Sequence, residues 1–441
     1  MKRTSSLTAL LALSICAIGN ANAEPQIEHW STGNGARVYF VAAAEIPMID
    51  LRVVFAGGSA RDGATPGLAM LTNGLLKDGA GDLDADAYAD ALGATGAIIA
   101  TGAERDMAYA TLRSLVEDDS LRPALALFTA AIARPRFDQR ALERRQARTL
   151  VALKHKEQSP EATADDAFYA ALYPTHPYGT PPSGTSTSVA ALTVDDVRAF
   201  HRRYYVAANA IIVLVGAVDA ARAHVLAEDL SRTLTTGERV TALPVVVAPS
   251  ASDKHIEFPS IQSHVRMGLP AIARGDVDYF PLLVGNHALG GNPLVSILFD
   301  EVRNKRGLSY NVSSFFAPMA QSGPFVAALQ TDRKQQDEAL HVLRATIAKF
   351  IDDGPPAAAL AAAKQNLVDG FPLRVASNSQ IAEYVSMIGF YDLPLDYLTR
   401  FTPQVAAVTA DTVKQAFARH VPLDHLTTIV VGRATNDPPG P

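Results

Sequence analysis

The fold is decided by a stretch that occurs twice in this chain of 441 residues, as Leu192-Thr-Val-Asp-Asp-Val-Arg198 and as Val408-Thr-Ala-Asp-Thr-Val-Lys414. Each copy predicts the start of a helix, with Thr193 or Thr409 as the N-cap. Each helix then leads into an apolar strand that ends in glycine, Ala210–Gly216 in the first copy and Leu426–Gly432 in the second. The threonines and the final glycines are both 216 residues apart. A constant offset over two elements indicates a duplicated domain of roughly 200 residues.

The two halves also begin alike, with strands followed by helices. Alternating apolar residues predict strands at Ile49–Phe55 and His264–Leu269, and helices are expected to start near Thr65-Pro66 and between Asp276 and Tyr279. Two long helices follow, at Gln139–Lys156 and Lys334–Ile351. Strands in a block followed by helices predict an α+β fold of two homologous domains, each a mixed or antiparallel sheet covered by helices.

Domain boundaries follow from composition. Residues 1–23 have a basic start, an apolar run and small residues before Glu24, which is typical of a cleaved signal peptide and predicts a periplasmic or secreted protein. We expect domains at 24–235 and 255–435, a linker rich in proline and small polar residues at 236–254, and a loose tail at 436–441. An alternative start as a lipid-anchored Cys16 is opposed by the bulky Ile15 before it.

Charge and cysteine content exclude several function classes. The chain has 39 Lys and Arg against 45 Asp and Glu, for a net charge of −6, and it lacks a basic cluster. Nucleic acid and a membrane surface are therefore not expected as partners. The single cysteine, Cys16, lies in the predicted signal peptide, so we expect neither a disulfide nor a thiolate metal site.

One stretch carries a resemblance to a known family. It runs Ala288-Leu-Gly-Gly-Asn-Pro-Leu-Val-Ser-Ile-Leu-Phe-Asp-Glu-Val-Arg-Asn-Lys-Arg-Gly-Leu-Ser-Tyr310. This stretch resembles the second-half signature of the pitrilysin peptidases, which include insulin-degrading and mitochondrial processing peptidases. The resemblance implies that the two domains form half of a clamshell. It also implies that Arg303 and Tyr310 are the pair that grips a substrate carbonyl.

The side-chain chemistry suits that role, because a guanidinium and a phenol both donate hydrogen bonds to a carbonyl that develops negative charge. Two other interpretations stay open. Arg303 is also a plausible solvated helix residue, with Tyr310 as a core aromatic. Arg306 is nearer to Tyr310 in sequence and is a competing partner.

The family's inverted zinc motif, H-x-x-E-H, is missing. Its frame is present between Gly67-Leu-Ala and Gly79, but the positions of the two histidines and the glutamate fall on Met70, Asn73 and Gly74. The distal glutamate ligand aligns with Ala152. We therefore expect no metal and no cofactor on this chain. The resemblance implies zinc in a partner subunit.

Other catalytic arrangements are not supported. The histidines include no pair at i and i+4, and Gly57-Gly58-Ser59-Ala60-Arg61 fails the G-x-S-x-G pattern of a serine nucleophile. His176 is expected to be structural, with contact to substrate as the alternative. The strand around Ile98, Ile99 and Ala100 resembles the family's edge strand, onto which substrate adds. An ordinary sheet strand is an equally good interpretation.

These residues lead to two hypotheses. In the first, the chain is the non-catalytic, substrate-binding subunit of a heterodimeric zinc peptidase. It would complete the active site of a homologous H-x-x-E-H partner, bind peptide through Arg303 and Tyr310, and be inactive alone. In the second, it is a catalytically inactive peptide-binding or scaffold protein of the same fold.

Overall fold

The structure, a computed structural model, describes residues 26–433. The predicted signal peptide at 1–23 and tail at 436–441 lie outside these residues. In the first half the strands are β1 Glu28–Ser31, β2 Arg37–Ala42, β3 Met48–Phe55, β4 Ile98–Ala103, β5 Ala108–Leu115 and β6 Ala210–Gly216. In the second half they are β7 Asp253–Glu257, β8 Gln262–Ile272, β9 Val312–Phe316, β10 Gly323–Asp332 and β11 Thr427–Gly432.

Helices cover both sheets. Those of the first half are α1 Leu68–Leu75, α2 Ala85–Thr95, α3 Asp118–Ala133, α4 Gln139–Glu157, α5 Pro160–Leu172, α6 Ser186–Ala191, α7 Val194–Tyr204 and α8 Ala220–Ser231. Those of the second half are α9 Tyr279–Asn286, α10 Gln336–Asp353, α11 Ala357–Arg374, α12 Asn378–Phe390, α13 Tyr397–Ala407 and α14 Ala410–His420. Within residues 26–433, none of the helices combines the length and the apolar character that crossing a membrane requires.

The two sheets share one topology. The first has the strand order β1-β2-β6-β3-β5-β4 and the second has β7-β11-β8-β10-β9. Apart from the additional β1, the orders correspond strand by strand. In both, the first strand of the shared order is parallel to its neighbour and the other pairings are antiparallel. The predicted α+β class, with two mixed sheets covered by helices, is confirmed, and the repeated strand order supports the duplication.

The repeated helix starts are built alike. The side chains of Thr193 and Thr409 accept a hydrogen bond from the backbone N–H three residues on, at Asp196 and Thr412. The side chains of Asp196 and Thr412 accept in return from the cap residue's N–H, which completes a capping box. Both predicted N-caps are confirmed.

The start of α1 differs from its prediction. The helix begins at Leu68 rather than near Thr65-Pro66, because Gly67 adopts a φ of +93° that is available to glycine but costly for other residues. The buried Asp62 carboxylate accepts from the backbone N–H groups of Gly67 and Ala69 at 2.8 and 2.7 Å. This carboxylate therefore satisfies backbone N–H groups at the start of α1.

Two helices are exchanged between the halves. Helix α5 packs on β8 and β11 of the second sheet, and α12 packs on β2, β3 and β6 of the first. Strand β6 is consequently buried on both faces: Ile212 and Leu214 face the first half's own helices, whereas Val213 faces α12. Burial of each such side chain contributes about 2 kcal/mol, which explains why this strand is apolar throughout.

Polar contacts reinforce the exchange. Arg266 on β8 binds Asp165 and Glu161 of α5 at 2.6 and 3.1 Å. Residues 237–252, between α8 and β7, form no regular secondary structure but contact both halves: the Pro244 carbonyl lies 2.9 Å from the His176 ring, and the Leu243 carbonyl accepts from Gln321 at 3.3 Å. Strand β7 begins at Asp253, inside the segment 236–254 that the sequence analysis took as a linker. The two halves are thus tied together along their length.

Candidate functional site

The positions of the missing zinc motif lie on α1 and hold structural side chains. Met70 is 41% exposed, whereas Asn73 is buried. The Asn73 amide donates to the Tyr109 carbonyl at 3.1 Å and to the Tyr205 hydroxyl at 3.2 Å. Position 73, where the family has its glutamate, therefore attaches α1 to strand β5 and to the buried Tyr205.

The space beside Gly74 is filled by the side chain of Arg145, which no sequence pattern indicates. A Cβ atom at Gly74 would lie 2.7 Å from Nη1 of Arg145 on α4. The Arg145 guanidinium is held in place by Asp78, whose Oδ2 accepts from Nε and Nη2 at 3.0 Å each. The contact joins residues far apart in sequence, so no local pattern signals it.

Zinc does not fit this site. A histidine at position 74 would require Arg145 to move, and the guanidinium places a permanent positive charge beside the motif positions, which disfavours a cation there. Ala152, at the aligned distal position, is exposed on α4 and offers no ligand atom. The Arg145 side chain beside Gly74 and the lack of a ligand atom on Ala152 therefore support the expectation that the motif positions bind no metal.

Another group of possible ligands lies elsewhere. Within residues 26–433, Asp276, Asp278 and His420 bring their ligand atoms within 4.8 Å of one another. Arg419 binds both oxygens of Asp278, and these bonds lower the pKa of that carboxyl. The His420 ring also contacts Asp278, at 3.0 Å. These contacts describe an ion-pair cluster that fixes the end of α14 to the start of α9.

Arg303 and Tyr310 are brought together. Arg303 lies in a π-helical turn, Phe299–Asn304, and its Cζ is 4.2 Å from the centroid of the Tyr310 ring and 4.7 Å from that of Phe299. Tyr310 is 69% exposed, so it is not the core aromatic of the alternative interpretation. Among the described residues, neither the guanidinium nor the phenol has a hydrogen-bonding partner. Both groups remain available to a ligand.

Arg306 is placed differently. Its Nη1 donates to the Glu301 carbonyl and to the Glu301 carboxylate, both at 2.7 Å. This arginine closes the end of the π-helical turn and does not contact the Tyr310 ring. The structure thus favours Arg303 over Arg306 as the partner of Tyr310.

A cleft of about 880 Å³ lies beside the pair, between the signature segment and α10. Phe299 lines this cleft and also supports the Arg303 guanidinium. The exposed side chains of Leu294 and Val295 form one wall. Charged side chains, among them Glu301, Lys305 and Arg306, also line the cleft, and the Arg303–Tyr310 stack adjoins it through Phe299.

The predicted edge strand is β4. Among the described strands it pairs with β5 alone. Ile98 is 63% exposed and Ala100 is also exposed, whereas Ile99 is buried and its carbonyl accepts from Lys77 at 3.2 Å. The strand has a backbone edge for another strand to join, and addition of substrate there stays a prediction.

His176 has a structural environment. Besides the contact with Pro244, its Nδ1 accepts from the Tyr178 backbone N–H at 3.1 Å. Burial lowers the pKa of the ring. Both nitrogens are occupied within the protein, which matches the structural interpretation rather than contact with substrate.

Comparison with known proteins gives a consistent picture. Residues 191–367 match the family model of the peptidase M16 inactive domain. The crystal structure of a peptidase M16 inactive domain from Pseudomonas fluorescens is 37% identical, with a TM-score of 0.91 over 94% of this chain and 100% of that one. A protease from Helicobacter pylori has the same fold at 19% identity, with a TM-score of 0.83 over 92% of this chain and 99% of that one.

Some curated relatives are named as zinc proteases and another as a non-peptidase homolog. An uncharacterized zinc protease of Mycobacterium tuberculosis is 28% identical over 60% of this chain and 61% of its own length. The chain therefore spans about three fifths of that relative. The non-peptidase homolog YmxG of Helicobacter pylori is 23% identical over 89% of this chain and 90% of its own.

Proposed function

The chain belongs to the M16 peptidases, the pitrilysin family, as a non-catalytic member, and from this premise we propose that it is the substrate-binding subunit of a heterodimeric zinc peptidase. The observation that carries the proposal is the exposed Arg303–Tyr310 stack, whose donors have no partner among the described residues. Hydrogen-bond donors that make no bond within the protein do little to stabilise the fold, but they can bind a ligand.

The stack suits recognition of a peptide carbonyl. The faces of the Phe299 and Tyr310 rings hold the guanidinium by cation–π contacts, which leaves its N–H groups pointing along its own plane. The Tyr310 hydroxyl supplies a further donor. Hydrogen bonds of this kind strengthen as negative charge develops on the carbonyl oxygen, so they lower the barrier more than they tighten binding.

The metal belongs to the partner in this proposal. Some curated relatives are called zinc proteases, but α1 of this chain holds Asn73, Gly74 and the Arg145 guanidinium where ligands would be needed. We assign zinc to a homologous H-x-x-E-H subunit, where it would activate water for peptide hydrolysis. In this proposal the pair acts in the periplasm or outside the cell, as the predicted signal peptide suggests.

The test is hydrolysis of a mixed set of fluorogenic peptides by this protein alone, by a purified H-x-x-E-H homologue from the same cell, and by the two together. We expect activity in the mixture only, and its loss on addition of a chelator. If the homologue is equally active alone, the chain is instead a peptide-binding or scaffold protein. Hydrolysis by this chain alone would contradict both.

A further inference from the structure

A second cleft, of about 450 Å³, lies where the two halves meet. Its walls come from β3, the turn between β4 and β5, the loop after β8, the end of α11, and α12. Its charged side chains are Arg52, Arg274, Arg374, Glu104 and Glu383. Three guanidinium groups therefore line a half-enclosed space together with two carboxyl groups.

Two of these arginines, Arg52 and Arg274, have Glu104 as a charged neighbour, but their side chains form no hydrogen bond with another described residue. The Arg52 guanidinium lies over the Tyr109 ring at 3.8 Å, and that of Arg274 lies 5.5 Å from the Tyr391 ring. Within residues 26–433, neither guanidinium makes a hydrogen bond or an ion pair, and the Nε atom of each is buried without a partner. Each guanidinium therefore has one N–H donor, at Nε, that is unpaired and shielded from water, which is costly.

The internal repeat supplies a direct comparison. Arg52 on β3 is opposite Val213 of β6, and Arg266 on β8 is opposite Ile429 of β11. Val213 and Ile429 are 216 residues apart, the offset of the repeat, so Arg52 and Arg266 are equivalent positions in the two sheets. Arg266 is bonded by two carboxylates of the exchanged helix α5, whereas Arg52, beneath the exchanged helix α12, faces the cleft with Glu104 and Glu383 but forms no hydrogen bond with either.

The charge in the cleft also favours an anion. Three arginines against two glutamates leave one net positive charge when all are ionised. Burial raises the pKa of Glu104, while the positive charges of Arg52 and Arg274 act in the opposite direction. Glu383 is exposed on α12, at the rim.

We propose that this cleft binds a carboxylate ligand. The ligand pairs with Arg52 and Arg274 in the way that Asp165 and Glu161 pair with Arg266. The ligand is either an acidic side chain of a bound peptide or a free small carboxylate. Because the cleft is walled by both halves, occupancy also holds them together. The site goes beyond the proposed function, since it requires neither the partner subunit nor the Arg303–Tyr310 pair.

The experiment is isothermal titration of the purified chain, without any partner, using three probes. These are an acetylated and amidated pentapeptide with three glutamates, the same peptide with three glutamines, and succinate. We expect the glutamate peptide to bind and the glutamine peptide to fail. Binding of succinate as well identifies a site for free carboxylates, and its failure identifies a site for acidic peptides.

Variants locate the site. Arg52→Gln and Arg274→Gln are each expected to weaken binding about tenfold or more, the usual worth of a charge-assisted hydrogen bond. Glu383→Gln is expected to strengthen binding, which loss of folding cannot imitate. Arg122→Gln, which alters an exposed arginine paired with Asp118 on α3, is the matched control. Absence of binding by both acidic probes, or affinity unchanged by Arg52→Gln and Arg274→Gln, overturns the proposal.

Discussion

Replacement of Tyr310 by phenylalanine removes one oxygen atom from the proposed site and leaves the rest of the stack intact. The hydroxyl has no hydrogen-bonding partner among the described residues, and the ring that supports Arg303 at 4.2 Å is retained. Tyr310 is exposed, so we expect the free energy of unfolding to change by less than about 0.5 kcal/mol. Folding and assembly with the partner are therefore preserved.

The effect on catalysis is expected to be much larger. Removing one preorganised donor to a developing oxyanion costs about 3 kcal/mol, or roughly 10²–10³ in kcat. Arg303→Ala is expected to cost at least as much, because it removes the charge together with the cation–π contact. Since these hydrogen bonds strengthen in the transition state, the loss falls on kcat more than on KM.

The assay is hydrolysis by the reconstituted heterodimer, with assembly checked by analytical size exclusion. Arg306→Gln is the matched control, because Arg306 lies three residues from Arg303 but binds Glu301 instead of the Tyr310 ring. We expect this variant to keep at least half of the activity. The reasoning is refuted if Tyr310→Phe keeps half of the activity with assembly intact, or if Arg306→Gln loses as much as Arg303→Ala.

Three predictions concern the folded chain itself. Burial lowers the pKa of His201 to about 4, against 6.5 in the unfolded chain. Between these two pH values the unfolded state binds more protons than the folded state. The free energy of unfolding therefore falls by up to about 3 kcal/mol as the pH is lowered from 6.5 towards 4. Urea unfolding at pH 7 and pH 4.5 measures this fall. We expect the same fall in the parent protein and in a variant of the exposed His425, and a smaller fall in His201→Gln. An equal fall in all three proteins would contradict the prediction. Arg266→Ala removes a side chain that is only 9% exposed and opens a packed site, and we expect a loss of about 2 kcal/mol in urea unfolding, against a null result of under about 0.5 kcal/mol. Gly74→Ala should lower the melting temperature, since its Cβ meets the Arg145 guanidinium at 2.7 Å; an unchanged melting temperature would show that Arg145 moves freely.

Features set by neighbouring residues could be predicted from the sequence. The capping boxes at Thr193 and Thr409 depend on side chains three residues apart, and the burial of β6 follows from its unbroken apolar run. The start of α1 was missed because the capping carboxylate of Asp62 precedes the helix by an unusual distance. Local sequence patterns were therefore enough to predict the fold class. They did not predict the start of α1, because its capping residue lies several positions earlier in the chain.

The exchange of α5 and α12 was beyond the sequence, because an amphipathic helix shows that it has an apolar face but not which sheet covers it. The same limit applied to the site. The signature indicated Arg303 and Tyr310, and the contact of Arg303 with Phe299 follows from helical spacing. Arg145 beside Gly74 joins separate helices, so only the folded structure reveals it.

The replaced motif positions have acquired contacts that zinc ligands would break. A glutamate at position 73 would set a carboxylate against the Tyr109 carbonyl, which at present accepts a hydrogen bond from the Asn73 amide. A histidine at position 74 would have to displace Arg145 from its bonds to Asp78. Restoring the ligands therefore requires changes in α4 as well as in α1, and single reversions are expected to destabilise the chain without creating a metal site. The motif positions of the first half are thus occupied by structural contacts, and under the proposed function it is the Arg303–Tyr310 stack of the second half that binds the substrate carbonyl.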